Sequence, residues 1–438
     1  MSAAPFHLGW FLEGSSAQAW NRVWTGTTGK LWMKPKLFLD MAQSLERACF
    51  DYLLLEDSSY VADLYGGTMK IYLENAIATP RQDPAVVAGL MTQVTDRIGI
   101  VPTLGTYAYP PYLLARLIGT LDQVSDGRIG WNLVTGSSDR AAQNFGLTGM
   151  PQHDKRYDMA DEYMDVVNGL WDSWEPDSIL ADTESGVFAD WTKVHTIDHA
   201  GEYYTSRGPL NSGPLPQGRP VIAQAGGSPR GKQFGARHAD TVVTVEHGPA
   251  AMKKYRDDVR GYMEAAGRKP DECKVLYLIS PIIGATEGEA RDKAEQREAR
   301  RLTDAEIRLA HLSKVTNIDF SVFPLDEPIG GQELTTNGHQ QTLDQFLHEA
   351  AGKTLREAAA TLSGVGCLDL VGTPDQVAAQ LDEAMQEVGG DGFLLTSDET
   401  TPHYVAEIAD GLVPALQRRG LTRTAYTYPK FRDNLLEF

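Results

Sequence analysis

The sequence predicts an α/β protein, a (β/α)8 TIM barrel with long insertions after strands 4 and 7 and a C-terminal extension. Three observations predict it. Short β-like runs alternate with longer helical patterns along most of the chain. There are eight such runs, the number that closes a parallel barrel. Neither a GxGxxG nor a GxxxxGK[ST] motif is present, so an open doubly wound sheet built around a nucleotide loses its usual signature.

In chain order, FHLGWFL (6–12) precedes a helical pattern at 35–49, FDYLLLE (50–56) one at 84–96, IGIVPTL (98–104) one at 111–124, and RIGWNLV (128–134) one at 154–174. PVIAQA (220–225), DTVVTVE (240–246), VLYLISPII (275–283) and DGFLLTS (391–397) complete the set, each followed by a further helical segment. Within 154–174, Met159, Tyr163, Val166, Val167, Leu170, Trp171 and Trp174 recur at helical spacing, with Asp161, Glu162, Asp165 and Asp172 between them. One stripe of that helix is core and the remainder is solvated.

Residues 175–219, rich in Gly, Pro, Asp and Ser, carry one short β-like pair at most, and 301–366 add helices and polar loops before the eighth run. Both are expected to shape the mouth of one barrel domain spanning 1–438 rather than to form further domains. The tail at 420–438 is aromatic and charged, the composition of a docking arm.

Composition narrows the function. Acidic residues outnumber basic ones 59 to 40 in 438, a formal charge of −19 that opposes a non-specific grip on nucleic acid. The 3 cysteines, Cys49, Cys273 and Cys367, form no CxxC or CxxH pair, against a disulfide scaffold or zinc site and in favour of a reducing setting. The start MSAAPFHLGWFLEG lacks a basic n-region, and no run approaches the ~18 apolar residues of a membrane span. A cytoplasmic protein acting on neither nucleic acid nor membrane is expected.

In QAGGSPRG (224–231), Gly226 and Gly227 permit unusual backbone geometry, Ser228 suits an N-cap and Pro229 the first helical position. Such a turn offers free N–H groups, a hydroxyl and the positive end of a helix to an anion, with Arg230 beside it; a well-capped turn without a ligand is the alternative. His153, Asp154, Arg156 and Tyr157 open the fourth helix on the loop side, where His and Tyr one turn apart can bond one ligand, or where Asp154 simply caps and Tyr157 packs. Asp57 and Ser58 follow the second strand and Thr103 closes the third, the end where barrels carry chemistry, although each residue alone could be a loop cap. Asn132 interrupts an apolar strand; its amide suits the alternating donors and acceptors of a flat heterocycle, or a neighbouring backbone group. His195 and His199 are spaced i, i+4 in a stretch that reads as extended. No HExxH or GxSxG motif is present, so no metal ligand set and no serine triad is assigned.

Together these residues resemble the flavin-dependent bacterial luciferase-like monooxygenases, in the branch of nitrilotriacetate, dibenzothiophene-sulfone, long-chain alkane and dimethyl-sulfide monooxygenases. The resemblance rests on TLGTYAYPPYLLAR (103–116), LDQVSDGRIGWNLVTGSSDRAAQNFG (121–146), KRYDMADEYMDVVNGLWDSW (155–174), the stretch from FADWTKVHT to GARHAD (188–240), and TPDQVAAQLDE (373–383). It implies a barrel that binds reduced FMN from a separate NAD(P)H:flavin reductase and uses O2, through a flavin C4a-peroxide, to oxygenate a small organic substrate. By resemblance, Asp57 and Thr103 lie near the flavin ring, Asn132 contacts its polar edge, and His153, Tyr157, Gly227 and Ser228 hold the ribityl phosphate. Luciferases carry a His pair after strand two where Asp57 and Ser58 stand here, so that catalytic His is not transferred. Relatives often end in a Thr-Leu-Arg signature where this tail reads YTYPKFRDNLLEF, which puts tail-dependent contacts in a homodimer or homotetramer in question.

The aromatics Trp10, Phe11, Trp20, Trp24 and Trp32 are expected either as walls of an apolar substrate pocket or as core, and His311, in RLAHLSKV, as a proton donor or substrate contact. A non-catalytic flavin-binding protein and a deazaflavin-dependent oxidoreductase on the same barrel are the competing readings.

Overall fold

The structure, a computed structural model, describes residues 3–12, 20, 25–27, 29–329, 334–362, 366–397 and 400–438. Eight strands run parallel: β1 (His7–Leu12), β2 (Tyr52–Leu55), β3 (Gly99–Gly105), β4 (Gly130–Val134), β5 (Val221–Ala225), β6 (Thr241–Thr244), β7 (Lys274–Ile279) and β8 (Gly392–Leu395). They pair in chain order, and β8 returns to β1 to close the barrel. Each expected run coincides with one of them, β3 and β7 extending one residue beyond their runs at Gly105 and Lys274.

Side chains alternate across these strands as the pleat requires. Leu8, Trp10, Leu53, Leu55, Trp131, Leu133, Tyr277 and Phe393 join the layer between sheet and helices. Tyr52, Leu54, Val101, Ala223, Val243, Leu278 and Leu394 fill the lumen. The helices that cover the sheet are α1 (Lys36–Arg47), α2 (Pro84–Met91), α3 (Pro111–Val124), α4 (His153–Trp171), α5 (Pro229–His238), α6 (Pro249–Ala265) and α7 (Pro374–Val388). The eighth position, α8, runs as Pro402–Ala406, a wider π turn at Glu407–Leu412, and Val413–Arg418. Pro414, which has no N–H to donate, sits at the end of that turn. α2 ends five residues before the periodicity suggests, because the Thr95 hydroxyl takes the Met91 carbonyl and Arg128 takes that of Thr92.

Both insertions differ from expectation. The first leaves the C-terminal end of α4, which lies at the floor of the barrel, and so does not shape the mouth. It holds two antiparallel ribbons rather than one, Ile179–Asp182 with Val187–Ala189 and His199–Ala200 with Thr205–Ser206. Glu162 of α4 anchors the second by accepting the Tyr203 and Tyr204 N–H groups at 2.9 and 2.8 Å and bonding His199 at 3.1 Å. His195 pairs instead with Glu175, at 2.8 Å.

The second insertion is longer than 301–366. Its neck is a parallel pair, Ile282–Ile283 with Val371–Gly372, and between them lie helices Glu287–Thr303, Ala305–Thr316, Gln340–Glu349 and Leu355–Thr361. These build a separate apolar core with the connection from β2 to α2: Tyr65, Tyr72 and Ile77 pack with Leu309, Leu312, Phe320, Leu343 and Phe346. The Tyr72 hydroxyl donates to the Ala310 carbonyl at 3.0 Å.

The tail closes the floor. Phe431 fills the lumen below Gly99 and Gly130, where a Cβ on Gly99 would lie 2.6 Å from its ring. Arg423 donates two bonds to buried Asp51, at 2.7 and 3.1 Å, and His7 Nδ1 meets the same carboxylate at 3.0 Å. Burial pushes the Asp51 pKa up, but His7, Arg423 and the Leu8 N–H outweigh it, and the net value is lowered. Arg423→Leu removes the guanidinium partner of this carboxylate, which is 2% exposed and keeps His7 and the Leu8 N–H, and is expected to cost about 3 kcal/mol. Urea unfolding at pH 7 measures the cost; an unchanged midpoint would show that the tail does not lock the floor.

Candidate active site

At the mouth, the strands end in Phe11 and Val245, both partly buried against the lumen core, and in Thr103 and Asn132, opposite one another in register. Asn132 Nδ2 donates to Thr103 Oγ1 at 2.8 Å. Asn132 Oδ1, and the hydroxyl of Ser58 in the loop after β2, are buried without a hydrogen-bond partner. Buried polar atoms are rarely left so, and an acceptor aimed at the mouth suits an N–H group of a ligand.

Asp57 follows β2 at the same end. Burial raises its pKa to about 6, with Arg81 opposing and Glu56 and Asp83 adding to the rise. Arg81 is fixed by the Glu56 carboxylate and by the carbonyls of Ala78 and Glu56, at 3.0 and 3.1 Å.

Beyond the mouth lies the turn into α5. Ser228 is the N-cap, its Oγ accepting the Gly231 N–H at 3.0 Å, and Pro229 takes the first helical position. Neither Gly226 nor Gly227 has positive φ, contrary to the sequence expectation. Close approach is the reason at Gly226, where a Cβ would lie 2.6 Å from Gln224 Nε2 and 3.0 Å from the Gly231 backbone. Arg230 does not face the turn's ligand side: it is held by Asp158 and Asp161 of α4, at 2.9 and 2.6 Å.

His153 and Tyr157 of α4 come up against this turn. His153 Nε2 is 3.3 Å from Ser228 Oγ, and its ring is 5.1 Å from that of buried Tyr157. The Tyr157 hydroxyl lies close enough that a Cβ on Gly231 would be 2.8 Å from it. A cleft of about 520 Å³ opens here between Gly227 and Ser228, Val245 and Glu246, and Gln340 and Gln345 of the second insertion. Val245 lines this cleft and also packs against the top of the lumen core, so cleft and mouth are neighbours.

The roof is the second insertion. His311 lies within electrostatic reach of Glu56 and Arg81, above the Asp57 side of the mouth. Burial, reinforced by Lys314, Arg308 and Arg81 against Glu56, lowers its pKa to about 4. It is therefore a neutral imidazole at pH 7, able to donate a hydrogen bond but not to act as a standing imidazolium acid. The Tyr60 hydroxyl donates to the Lys314 carbonyl at 3.2 Å, and Tyr107 shares a bond with Ser59 at 3.1 Å. His339, which sequence reasoning missed, is exposed on the second insertion, within electrostatic reach of Lys314, Arg156, Glu56 and His153. Arg156 clasps Asn337 beside it at 3.2 Å. Neither His339 nor Asn337 belongs to a motif singled out in the sequence; only the packing of the insertion brings them in.

The structure thus gathers Asp57, Thr103 and Asn132 at the mouth, His153, Tyr157, Gly227 and Ser228 at the α5 turn, and His311 in the roof. Of the first-loop aromatics, Phe11 faces the mouth, Trp10 is core against Phe50 and Tyr404, Trp20 is 47% exposed and Trp32 is partly buried. Trp24 lies outside the described residues.

Residues 14–392 match the luciferase-like monooxygenase family, and the chain belongs to it. Dibenzothiophene-sulfone monooxygenase of Rhodococcus erythropolis (strain XP) is 35% identical over 443 residues, covering 98% of this chain and 96% of that one. Dimethyl-sulfide monooxygenase of Hyphomicrobium sulfonivorans is 37% identical over 91% of this chain and 82% of its own length. The crystal structure of long-chain alkane monooxygenase superposes with a TM-score of 0.87 at 31% identity, covering 98% and 95%. That of a riboflavin lyase with modified FMN and riboflavin gives 0.87 at 32% identity, covering 99% and 96%. The protein is a flavin-dependent monooxygenase of this branch.

The raised Asp57 pKa gives a stability test. Folding favours its protonated form, so this contribution is present at low pH and is lost as pH rises from the unfolded value near 4 through about 6. Asp57→Asn removes the penalty and is expected to gain roughly 2–3 kcal/mol over the wild type between pH 4 and 8. Denaturant unfolding across that range reads the difference, and a pH-independent gap would contradict it.

Proposed function

We propose that the protein is the oxygenating component of a two-component system. Reduced FMN arrives from an NAD(P)H:flavin reductase, O2 is co-substrate, and a small apolar or aromatic molecule receives one oxygen atom at sulfur, nitrogen or carbon. The observation that carries this reading is the partnerless Asn132 Oδ1 beside Thr103, in a mouth that shares Val245 with the cleft at the capped N-terminus of α5.

The residues present fit the cofactor. Asn132 Oδ1 would accept from a ring N–H, and Thr103 and Asp57 would border the ring. Ser228, Gly227, Tyr157 and His153 would hold the phosphate at the helix terminus. When bound, the reduced flavin supplies O2 activation and oxygen transfer. The protein's part is to bind, orient and exclude water. The roof of the second insertion covers the mouth, and neutral His311 offers an N–H to the reacting oxygen or the substrate. Phe11, Val245, Tyr60 and Tyr107 support an apolar or aromatic substrate, as do the sulfone, sulfide and alkane named for the relatives. Nitrilotriacetate monooxygenase component A, 34% identical, supports a separate reductase component by its name. Exposed Val86 and Leu90 on α2 and Leu113 on α3 support a homodimer or homotetramer.

Purified protein with a flavin reductase, NADH and FMN should consume O2 in step with product when offered a panel of sulfides, sulfones, amines and alkanes. Tight oxidised-flavin binding with no reductase-dependent turnover would instead make it a flavin carrier. His311→Ala is expected to divert at least half of the oxygen consumed into H2O2; unchanged coupling would remove His311 from the site. Ser228→Ala combined with Tyr157→Phe should weaken FMN binding at least tenfold, and a wild-type dissociation constant would refute the phosphate site.

A further inference from the structure

The α5 turn must hold a phosphate with little fixed positive charge. The chain is acidic overall, at −19. Arg230, the cation on the turn itself, is neutralised by Asp158 and Asp161. Arg156 is spent on the Pro151 carbonyl and Asn337. The cleft is bordered by the carboxylates of Glu246 and Asp344, with His247 beside them, and His339 stands on the insertion side. What remains on the turn itself is the partial charge of the helix terminus and, bonded to its cap, His153, a group able to change its charge.

His153 sits between two partners whose chemistry assigns its hydrogens. Asp154 Oδ1, a carboxylate oxygen that only accepts, lies 2.7 Å from Nδ1, so Nδ1 carries the hydrogen. Nε2 is then an acceptor, facing Ser228 Oγ at 3.3 Å. Ser228 Oγ already accepts the Gly231 N–H, leaving its own hydrogen for Nε2. Asp154, His153 and Ser228 thus form a line of hydrogen bonds ending at the helix N-terminus.

Resting on the reading of this turn as the flavin phosphate site, we infer that Asp154, His153 and Ser228 make cofactor capture proton-linked. The protein takes up one proton at His153 Nε2 when a phosphorylated flavin binds, and so distinguishes it from riboflavin. As the phosphate arrives, the Ser228 hydroxyl turns its hydrogen to a phosphate oxygen. Nε2, relieved of that hydrogen bond, takes a proton from the buffered solvent and, keeping it, donates a hydrogen bond to a second phosphate oxygen. No covalent bond of the flavin changes, and the balance is one proton bound per phosphate. Asp154 is a positioning residue: it fixes the tautomer and stabilises the imidazolium once formed. His153 is 37% exposed, so water reaches it directly.

The test is titration calorimetry of oxidised FMN and of riboflavin at pH 7.5, in Tris and in PIPES, whose different protonation enthalpies reveal proton uptake. Wild type is expected to bind close to one proton with FMN and none with riboflavin. His153→Gln should bind FMN at least tenfold more weakly with no uptake, and Asp154→Asn should lose most of the uptake. Riboflavin affinity should be unmoved in both variants, which a general disruption of the turn would not allow. FMN binding with no buffer dependence in the wild type, or with the same uptake in His153→Gln, overturns the inference. Absence of any FMN binding to the wild type overturns the flavin-site reading beneath it.

Discussion

Closure of eight parallel strands with side chains alternating in and out constrains everything else in this molecule. A closed barrel has no sheet edge to protect, but it has two open ends, and inward positions at each must be satisfied. At the floor the requirement is met by the chain itself. Small inward residues, Gly99 and Gly130, leave room for Phe431, and the tail carrying it is held by buried Arg423 and Asp51. At the mouth the chain does not complete the satisfaction: Asn132 Oδ1 and Ser58 Oγ are buried with no protein partner. One end of the lumen is finished as a core, and the other is built for something that is not protein.

The electrostatics follow from the same enclosure. Roofing the mouth with the second insertion removes water from Asp57 and His311, and desolvation is the first cause of the shifted pKa of each. The shifts favour the neutral forms, as burial of a charge dictates. The roof depends in turn on the long β2 connection, since Tyr65, Tyr72 and Ile77 complete its apolar core. Substrate enclosure and the protonation state of the site are therefore consequences of one packing event between two loops some 230 residues apart in the chain, the Tyr72 to Ala310 bond spanning 238 positions.

Legibility in the sequence tracked the range of the interactions. The strands, α4 and the Ser228–Pro229 cap were readable because periodicity and capping are local signals. The side of the barrel to which 175–219 belongs was misread: the count of strands was right, but the excursion starts from a helix end, and a helix end lies at the floor. The glycines of the α5 turn were legible as glycines and not in their reason, since close approach to Gln224 is invisible until Gln224 is placed. Arg230 looked like an anion ligand by proximity along the chain, and the carboxylates that neutralise it lie on α4.

By itself the sequence determined the barrel, the order of its elements, the residue types at the strand ends and membership in a flavin-using family, because alternation, helical spacing and long motifs act over tens of residues. Tertiary structure alone decided which polar atoms are left without partners, which cations remain for a ligand, and that His311 comes within electrostatic reach of Glu56 and Arg81. Those properties depend on burial and on partners distant in the chain, and neither desolvation nor a salt bridge across 70 positions leaves a local trace.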